Sequence, residues 1–164
     1  MKFLVIGGDA AGMSAASRAK RHQPDLNVTV LEKTADVSYS ACGMPYNIAD
    51  PDRSIEDLVV RRAEVFRDKQ GIDLQTGVEA TAIDPAAKTV HTQNAEGQAD
   101  TFSYDNMLIA TGATPITPAI PGIDLPGVMV LKSLAHGRAV KQFIDQWAVK
   151  KTVIIGMGYI ALEM

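Results

Sequence analysis

The 164-residue sequence has one cysteine, Cys42, so no disulfide can close within it. Its three histidines, His22, His91 and His136, are scattered, and none stands at a metal-ligand spacing from Cys42. They read as surface or packing residues, and no metal site is expected. Positive charge is not in excess: 16 Lys and Arg face 19 Asp and Glu, for a net charge of −3. That balance leaves no basic footprint for nucleic acid. Long apolar runs are also missing. The longest uncharged one, Val153 to Leu162, falls well short of the roughly 20 residues needed to span a bilayer, so no membrane association is expected. The opening MKFLVIGG has a lysine and then apolar and small residues, but Phe3 to Ile6 is too short for a signal sequence, and a charged residue, Asp9, comes directly after the two glycines. A soluble, cytoplasmic protein is expected. With 46% hydrophobic residues it can bury a real core.

Phe3 to Ile6 predicts a short buried strand, leading into Gly7-Gly8-Asp9-Ala10-Ala11-Gly12. Met13 to His22 predicts a helix stopped by Pro24, and Asn27 to Leu31 a second strand with Glu32 at its end. A strand–turn–helix–strand unit of this kind predicts a parallel pair. Residues 38–50 read as irregular and Arg61 to Lys69 as helical. Ile72 to Thr92, broken by the turn at Asp84 to Lys88, predicts strands of a small antiparallel sheet. Tyr104 to Ala110 predicts a further buried strand ending at Thr111-Gly112. Pro115, Pro118, Pro121 and Pro126 make residues 113–127 an extended connection. An amphipathic helix is predicted over Ala135 to Trp147. Thr152 to Ile155 then predicts a strand leading into a second glycine pattern.

The fold class expected is α/β. It comprises a Rossmann-like domain over residues 1–112 with a parallel sheet and a small antiparallel sheet, a proline-rich linker over 113–127, and the start of a second Rossmann-like unit over 128–164. One strand and one turn of that second unit cannot bury a core, so the sequence reads as a piece of a longer protein.

The first glycine turn carries chemistry. A dinucleotide turn needs glycine for tight bending, for close approach of pyrophosphate and for close helix–strand packing, and the helix N-terminus then faces the phosphates. Gly7 and Gly12 fill the first and third positions. Glu32 lies 32 − 12 = 20 residues past Gly12, where a carboxylate binds a ribose hydroxyl. Asp9 departs from the pattern. Its carboxylate would repel pyrophosphate, and it is expected to cap the helix instead. The second pattern, Gly156-x-Gly158-x-x-Ala161, accepts Ala at its third position. The residue that separates NADH from NADPH would lie past residue 164, so both remain open. Two such turns imply a two-cofactor redox enzyme.

Six segments together resemble the pyridine-nucleotide disulfide reductases: the 7–12 turn, Leu31-Glu32-Lys33, Ser38 to Tyr46 (SYSACGMPY), Tyr104 to Pro115, Ile120 to Gly127 and Gly156 to Glu163. The Ser-x-x-x-Cys-Gly-x-Pro-Tyr segment most resembles the coenzyme A-disulfide reductases and the related NADH oxidases, peroxidases and persulfide reductases. The resemblance implies FAD on the first unit, surrounded by Gly7, Gly8, Asp9, Ala10, Ala11 and Gly12. Glu32 and Lys33 would lie at the adenosine ribose, and Ala110, Thr111 and Gly112 would close over the nucleotide. It implies NADH or NADPH on Gly156, Gly158 and Ala161, a coenzyme A-type disulfide as substrate, and a homodimer formed through a C-terminal domain.

A lone cysteine is commonly a small buried hydrophobe; the motif implies a redox-active Cys42. Members with two active-site cysteines resolve one with the other, but here Asn47 stands five residues on and no second cysteine exists. A mixed disulfide with substrate or a sulfenic acid remains. Ser14, Arg18 and Arg21, at i, i+4 and i+7, share one helix face. The spacing alone fits a solvated basic face. The resemblance implies coenzyme A contacts at Ser14, Arg18, Arg21, Ser38 and Lys69, although Ala41 departs from the Asn often found before this cysteine. The expected activity is FAD- and NAD(P)H-dependent reduction of a coenzyme A-type disulfide or persulfide. An NADH oxidase or peroxidase cycling Cys42 through sulfenic acid, and an inactive nucleotide-binding fragment, are the alternatives.

Overall fold

The computed structural model describes residues 1–164. By packing, the chain forms two compact units, one of residues 1–39 and 59–112, the other of residues 40–58 and 113–164.

The first unit is built on a parallel sheet. β1 (Lys2–Ile6) leads through a turn into α1 (Ala10–His22) and β2 (Asn27–Glu32), and β1 and β2 pair in parallel from Lys2–Asn27 to Ile6–Leu31. This is the strand–turn–helix–strand unit expected from the sequence. β3 (Asp73–Thr76) comes after a π-helical turn over Val65–Lys69 and pairs in parallel with β2. Part of the segment predicted to be antiparallel therefore belongs to the main sheet. Leu74 and Ile72, each 2% exposed, are drawn into the core beneath α1, and that burial decides the partner. β4 (Val78–Asp84), β5 (Thr89–Asn94) and β6 (Ala99–Ser103) form the small antiparallel sheet, with a bulge between Ala80 and Ala82. The Asp84 carboxylate closes the β4–β5 turn by accepting from the backbone N–H groups of Ala86 and Ala87, each at 2.9 Å. β7 (Asn106–Ile109) returns to pair in parallel with β1, giving the order β3-β2-β1-β7.

The run Phe3-Leu4-Val5-Ile6 is apolar throughout because both faces of β1 are covered, as parallel strands require. Successive side chains point to opposite faces. Val5 joins Met13, Ala16, Val28, Val30, Phe66 and Leu74 on the α1 side. Leu4 and Ile6 join Leu31 and Val90 on the side of the antiparallel sheet. The result is three layers: helix, parallel sheet, antiparallel sheet. β7 has a partner on one side only, so the strand predicted as buried is half-exposed, and Ile109 faces out at 58%.

The second unit holds a 3₁₀ turn (Ala41–Gly43), α2 (Met44–Ile48), a further 3₁₀ turn (Ile55–Leu58), α3 (Leu134–Trp147) and the short α4 (Tyr159–Glu163). α3 starts one residue before its predicted position, at a capping box in which Ser133 and His136 satisfy each other's backbone N–H groups. Most of residues 113–132 is irregular, as the prolines predict. The strand predicted at Thr152 to Ile155 does not form. Val153 and Ile155 are 86% and 80% exposed, and no other strand of the chain lies beside them to complete a ladder. A short apolar run specifies a strand only where a neighbour supplies hydrogen bonds. No helix is long and apolar enough to cross a membrane.

The two apolar environments predict opposite outcomes for truncation. Phe66→Ala, at a residue 2% exposed, should lower stability by about 3–5 kcal/mol. Val153→Ala should change it by less than about 0.5 kcal/mol. Urea denaturation of both variants checks this, and a large loss for Val153→Ala would mean that residues 152–155 pack.

Candidate functional site: the glycine turn and the cysteine segment

The turn between β1 and α1 lies at the carboxyl ends of the parallel strands, where the order reverses from β2 on one side of β1 to β7 on the other. That is the crevice in which open α/β sheets hold ligands. Its glycines are required by space. Gly7 has φ +112°, and a β-carbon there would run into the carbonyl oxygen of Ala110, the residue just past β7. A β-carbon on Gly12 would run into the carbonyl oxygen of Gly7, so the first turn of α1 could not sit against the end of β1. On Gly8 it would come within 2.8 Å of Glu32 Cβ and 3.2 Å of Val37 Cγ1. Backbone bonds hold the same neighbours: Gly7 N–H donates to Leu31 O and Ala110 N–H to Ile6 O, both at 2.8 Å.

Asp9 is the N-cap residue by position, and its carbonyl accepts from Met13 N–H at 2.9 Å. Its side chain does not cap the helix, which corrects the sequence expectation. Oδ1 instead accepts from Tyr39 N–H at 3.4 Å, because the 37–39 segment passes beside the turn, where Ser38 N–H donates to Gly8 O at 3.1 Å. With φ −95° Asp9 occupies ordinary backbone space, so glycine is not needed there. The first turn of α1 is left with no side-chain cap and no acidic residue. Its N–H groups at Ala10, Ala11 and Gly12 form the arrangement that receives an anion at a helix N-terminus.

Glu32 closes the other side. Its Oε2 accepts from Gly8 N–H at 2.7 Å, and its Oε1 accepts from the N–H and hydroxyl of Thr34, both at 2.8 Å. The carboxylate is thereby fixed at the end of β2. An ionised carboxylate has about four acceptor positions, so capacity remains for a ribose hydroxyl. Thr34 does not stand out in the sequence; a hydroxyl residue two positions after the acid is the signal that marks it. The cradle therefore fits a dinucleotide: glycine walls, uncapped N–H groups and an oriented acid. Lys33, Thr111 and Gly112 are exposed beside these elements.

Ser14, Arg18 and Arg21 are exposed on α1, and Lys69 is exposed on the π-helical turn; Ser38 is half-buried with φ +48°. The structure brings Ser38 to the glycine turn, and no hydrogen bond ties Lys69 to the α1 face. Gly156 and Gly158 lie in an open turn with φ +120° at Gly156, and Ala161 follows within α4. A β-carbon on either glycine would meet nothing within 4 Å.

In the second unit Cys42 is exposed within the Ala41–Gly43 turn, with Gly43 as the N-cap residue of α2. Gly43 N–H donates to Ser40 O at 3.1 Å, and a β-carbon on Gly43 would lie 2.7 Å from Leu58 Cδ2. Asn47, five residues past Cys42, is 1% exposed, and its Nδ2 donates to Ser54 O at 2.8 Å. Lys141 on α3 reaches the same segment, and Arg138 makes a two-point pair with Glu56 at 2.6 and 2.9 Å. Neither α3 residue stands out in the sequence, where both read as the polar side of an amphipathic helix.

The layered sheet and the turn at its switch point define a Rossmann-type α/β domain of the kind that binds dinucleotides. Residues 1–164 match the family model of the pyridine nucleotide-disulphide oxidoreductases, and the chain belongs to that family. It is 39% identical over 166 residues to the NAD(P)H coenzyme A polysulfide/persulfide reductase of Pyrococcus horikoshii, covering 99% of this chain and 36% of that protein. It is 32% identical over 164 residues to the coenzyme A disulfide reductase of Staphylococcus haemolyticus, covering 99% and 37%. Among solved structures, the NAD-dependent persulfide reductase of A. fulgidus superposes with a TM-score of 0.92 at 37% identity, covering 99% of this chain and 31% of that one. The water-forming NADH oxidase of Lactobacillus brevis, bound to NADH, gives 0.91 at 33% identity, covering 99% and 36%. The chain thus spans little more than a third of the length of the curated relatives it matches.

The glycines should rank by what surrounds them. Gly12→Ala should collapse the turn and cost at least about 3 kcal/mol, since backbone must move. Gly112→Ala, with φ +68° but open space, should cost only about 1 kcal/mol. Denaturant titration of both checks the order, and equal losses would contradict the packing account.

Proposed function

We propose that this chain is the FAD-binding and cysteine-bearing part of an NAD(P)H-dependent reductase of coenzyme A disulfide or a related low-molecular-weight disulfide or persulfide. The observation that carries the reading is Cys42: exposed, the only thiol in the sequence, and accompanied at position 47 by a buried, hydrogen-bonded Asn. With no second thiol in these 164 residues, Cys42 holds its oxidised state, in this reading, as a bond to a group from outside them. Relatives named for coenzyme A disulfide, polysulfide and persulfide support the substrate class.

Gly7, Gly8 and Gly12 leave room for the pyrophosphate of FAD. The N–H groups of Ala10, Ala11 and Gly12 receive its charge, and Glu32, held by Gly8 and Thr34, orients the adenosine ribose. The bound flavin supplies two-electron transfer from NADH or NADPH to sulfur. Gly156, Gly158 and Ala161 are assigned to the nicotinamide cofactor. Ser14, Arg18, Arg21, Ser38 and Lys69 are assigned to the phosphates of coenzyme A.

In the reaction, the Cys42 thiolate attacks one sulfur of the disulfide. A Cys42–S–S–CoA bond forms, the original S–S bond breaks, and one coenzyme A thiolate leaves and takes up a proton. Two electrons originating in NAD(P)H, with a second proton, then release the other coenzyme A thiol and restore the Cys42 thiolate. The similarity to the Lactobacillus brevis NADH oxidase supports a second reading, in which Cys42 is oxidised to a sulfenic acid by oxygen or peroxide.

Mass spectrometry separates the two. In a chain of the relatives' full length, oxidised with coenzyme A disulfide, an adduct of coenzyme A mass on Cys42 is expected. An added single oxygen formed with peroxide, and no coenzyme A adduct, would favour the oxidase. Cys42→Ser should abolish disulfide reduction while leaving FAD bound and reducible by NAD(P)H. Full activity of Cys42→Ser would refute the cysteine mechanism.

Arg18→Ala combined with Arg21→Ala should leave kcat little changed and raise KM for coenzyme A disulfide by roughly tenfold to a hundredfold, as loss of charge-assisted contacts distant from the sulfur would. Steady-state kinetics checks the split. A fall in kcat at constant KM would remove these residues from ground-state binding.

A further inference from the structure

We propose that Lys141 is a positioning residue for Cys42; this rests on the redox role proposed for that cysteine. Lys141 lies far from Cys42 in sequence and carries no motif. Its ammonium reaches from α3 to a cluster of oxygens at the C-terminal end of α2. It donates to Asn47 O at 2.8 Å, Asp50 O at 2.7 Å and Arg53 O at 2.7 Å, with Asn47 Oδ1 at 3.3 Å. A lysine has three N–H donors, and here three are met by backbone carbonyls of a single loop. Asn47 O and Asp50 O also accept backbone N–H groups, from Asp50 at 3.2 Å and Arg53 at 3.4 Å, so the ammonium ties together turns that are already hydrogen-bonded, and a cation at the C-terminal end of a helix is favoured by the helix dipole. α2 has five residues and would be marginal unsupported. The cysteine turn, Ala41–Gly43, leads directly into it.

The rest of the α3 face is shaped for the same contact. Leu134, Gly137, Arg138 and Lys141 fall at i, i+3, i+4 and i+7, one stripe of the helix. Leu134 is fully buried. Gly137 admits Ile55 and Met44: a β-carbon there would stand 3.0 Å from Ile55 Cδ1 and 3.4 Å from Met44 Sδ. Arg138 holds Glu56. Asn47 completes the arrangement by joining Lys141 to Ser54 O through its own amide. Asn47, five residues past Cys42, thereby anchors the segment that carries the cysteine.

The test uses this 164-residue chain and needs no bound cofactor. The rate of Cys42 alkylation by iodoacetamide is measured in the unmodified chain, in Lys141→Met, in Lys141→Arg and in a peptide spanning residues 38–46. Hydrogen exchange is measured in parallel over residues 44–58 and over β1 and β2. The expected result is that the folded chain and the peptide react at different rates. Lys141→Met should bring the rate to within about twofold of the peptide and speed exchange over 44–58, while β1 and β2 stay protected. Lys141→Arg should keep the rate nearer to that of the unmodified chain. An alkylation rate unchanged by Lys141→Met, or equal rates in the unmodified chain and the peptide, would overturn the proposal. If the rate responds as expected but coenzyme A disulfide forms no adduct with Cys42, the positioning stands and the substrate reading falls.

Discussion

The close approach of three backbone segments around Gly7 is the constraint on which the nucleotide-binding half depends. β1 must end, turn and enter α1 within a few residues, while the end of β7 passes beside the turn. Gly7 and Gly12 make this possible because the space that their β-carbons would fill is taken by the carbonyls of Ala110 and of Gly7 itself. Once α1 starts there, its apolar side falls over Val5, Val28 and Val30, and its uncapped N-terminus opens at the carboxyl edge of the sheet. The core and the ligand cradle thus arise from the same few ångströms.

Glu32, the residue proposed for the ribose, illustrates how a side chain is prepared by its neighbours. A free carboxylate at a strand end would sample several rotamers. Gly8 N–H and both donors of Thr34 fix this one, so the proposed role carries little ordering cost. Asp9 shows the opposite adjustment. A negative side chain in a pyrophosphate turn is turned to Tyr39 N–H, which the 37–39 segment brings alongside.

The second unit solves a different problem. Residues 40–58 form only short helical pieces, yet they carry the cysteine. α3 supplies what the segment lacks: a buried leucine, a glycine that allows close contact, and two cations that take up a carboxylate and three carbonyls. Order in the segment is imported through side chains far along the chain.

The local unit of strand, glycine turn, helix and strand was legible in the sequence, and so were the place of Glu32 at the end of β2, the proline-rich connection and the helix ending at Trp147. Each is encoded by neighbours in sequence: apolar runs, glycine spacing, prolines and a period of 3.6. The absence of a second thiol near Cys42 was equally plain. Only the tertiary structure decided that residues 73–76 join the parallel sheet, that 106–109 form an edge, and that 152–155 pair with nothing. A strand's partner is set by distant hydrogen bonds and by which face is covered, and neither is written in the strand itself. The same reason hid the roles of Asn47 and Lys141. Their roles are contacts made across the fold, or with a backbone whose path the sequence does not state, and polar residues of these types look alike until that path is known.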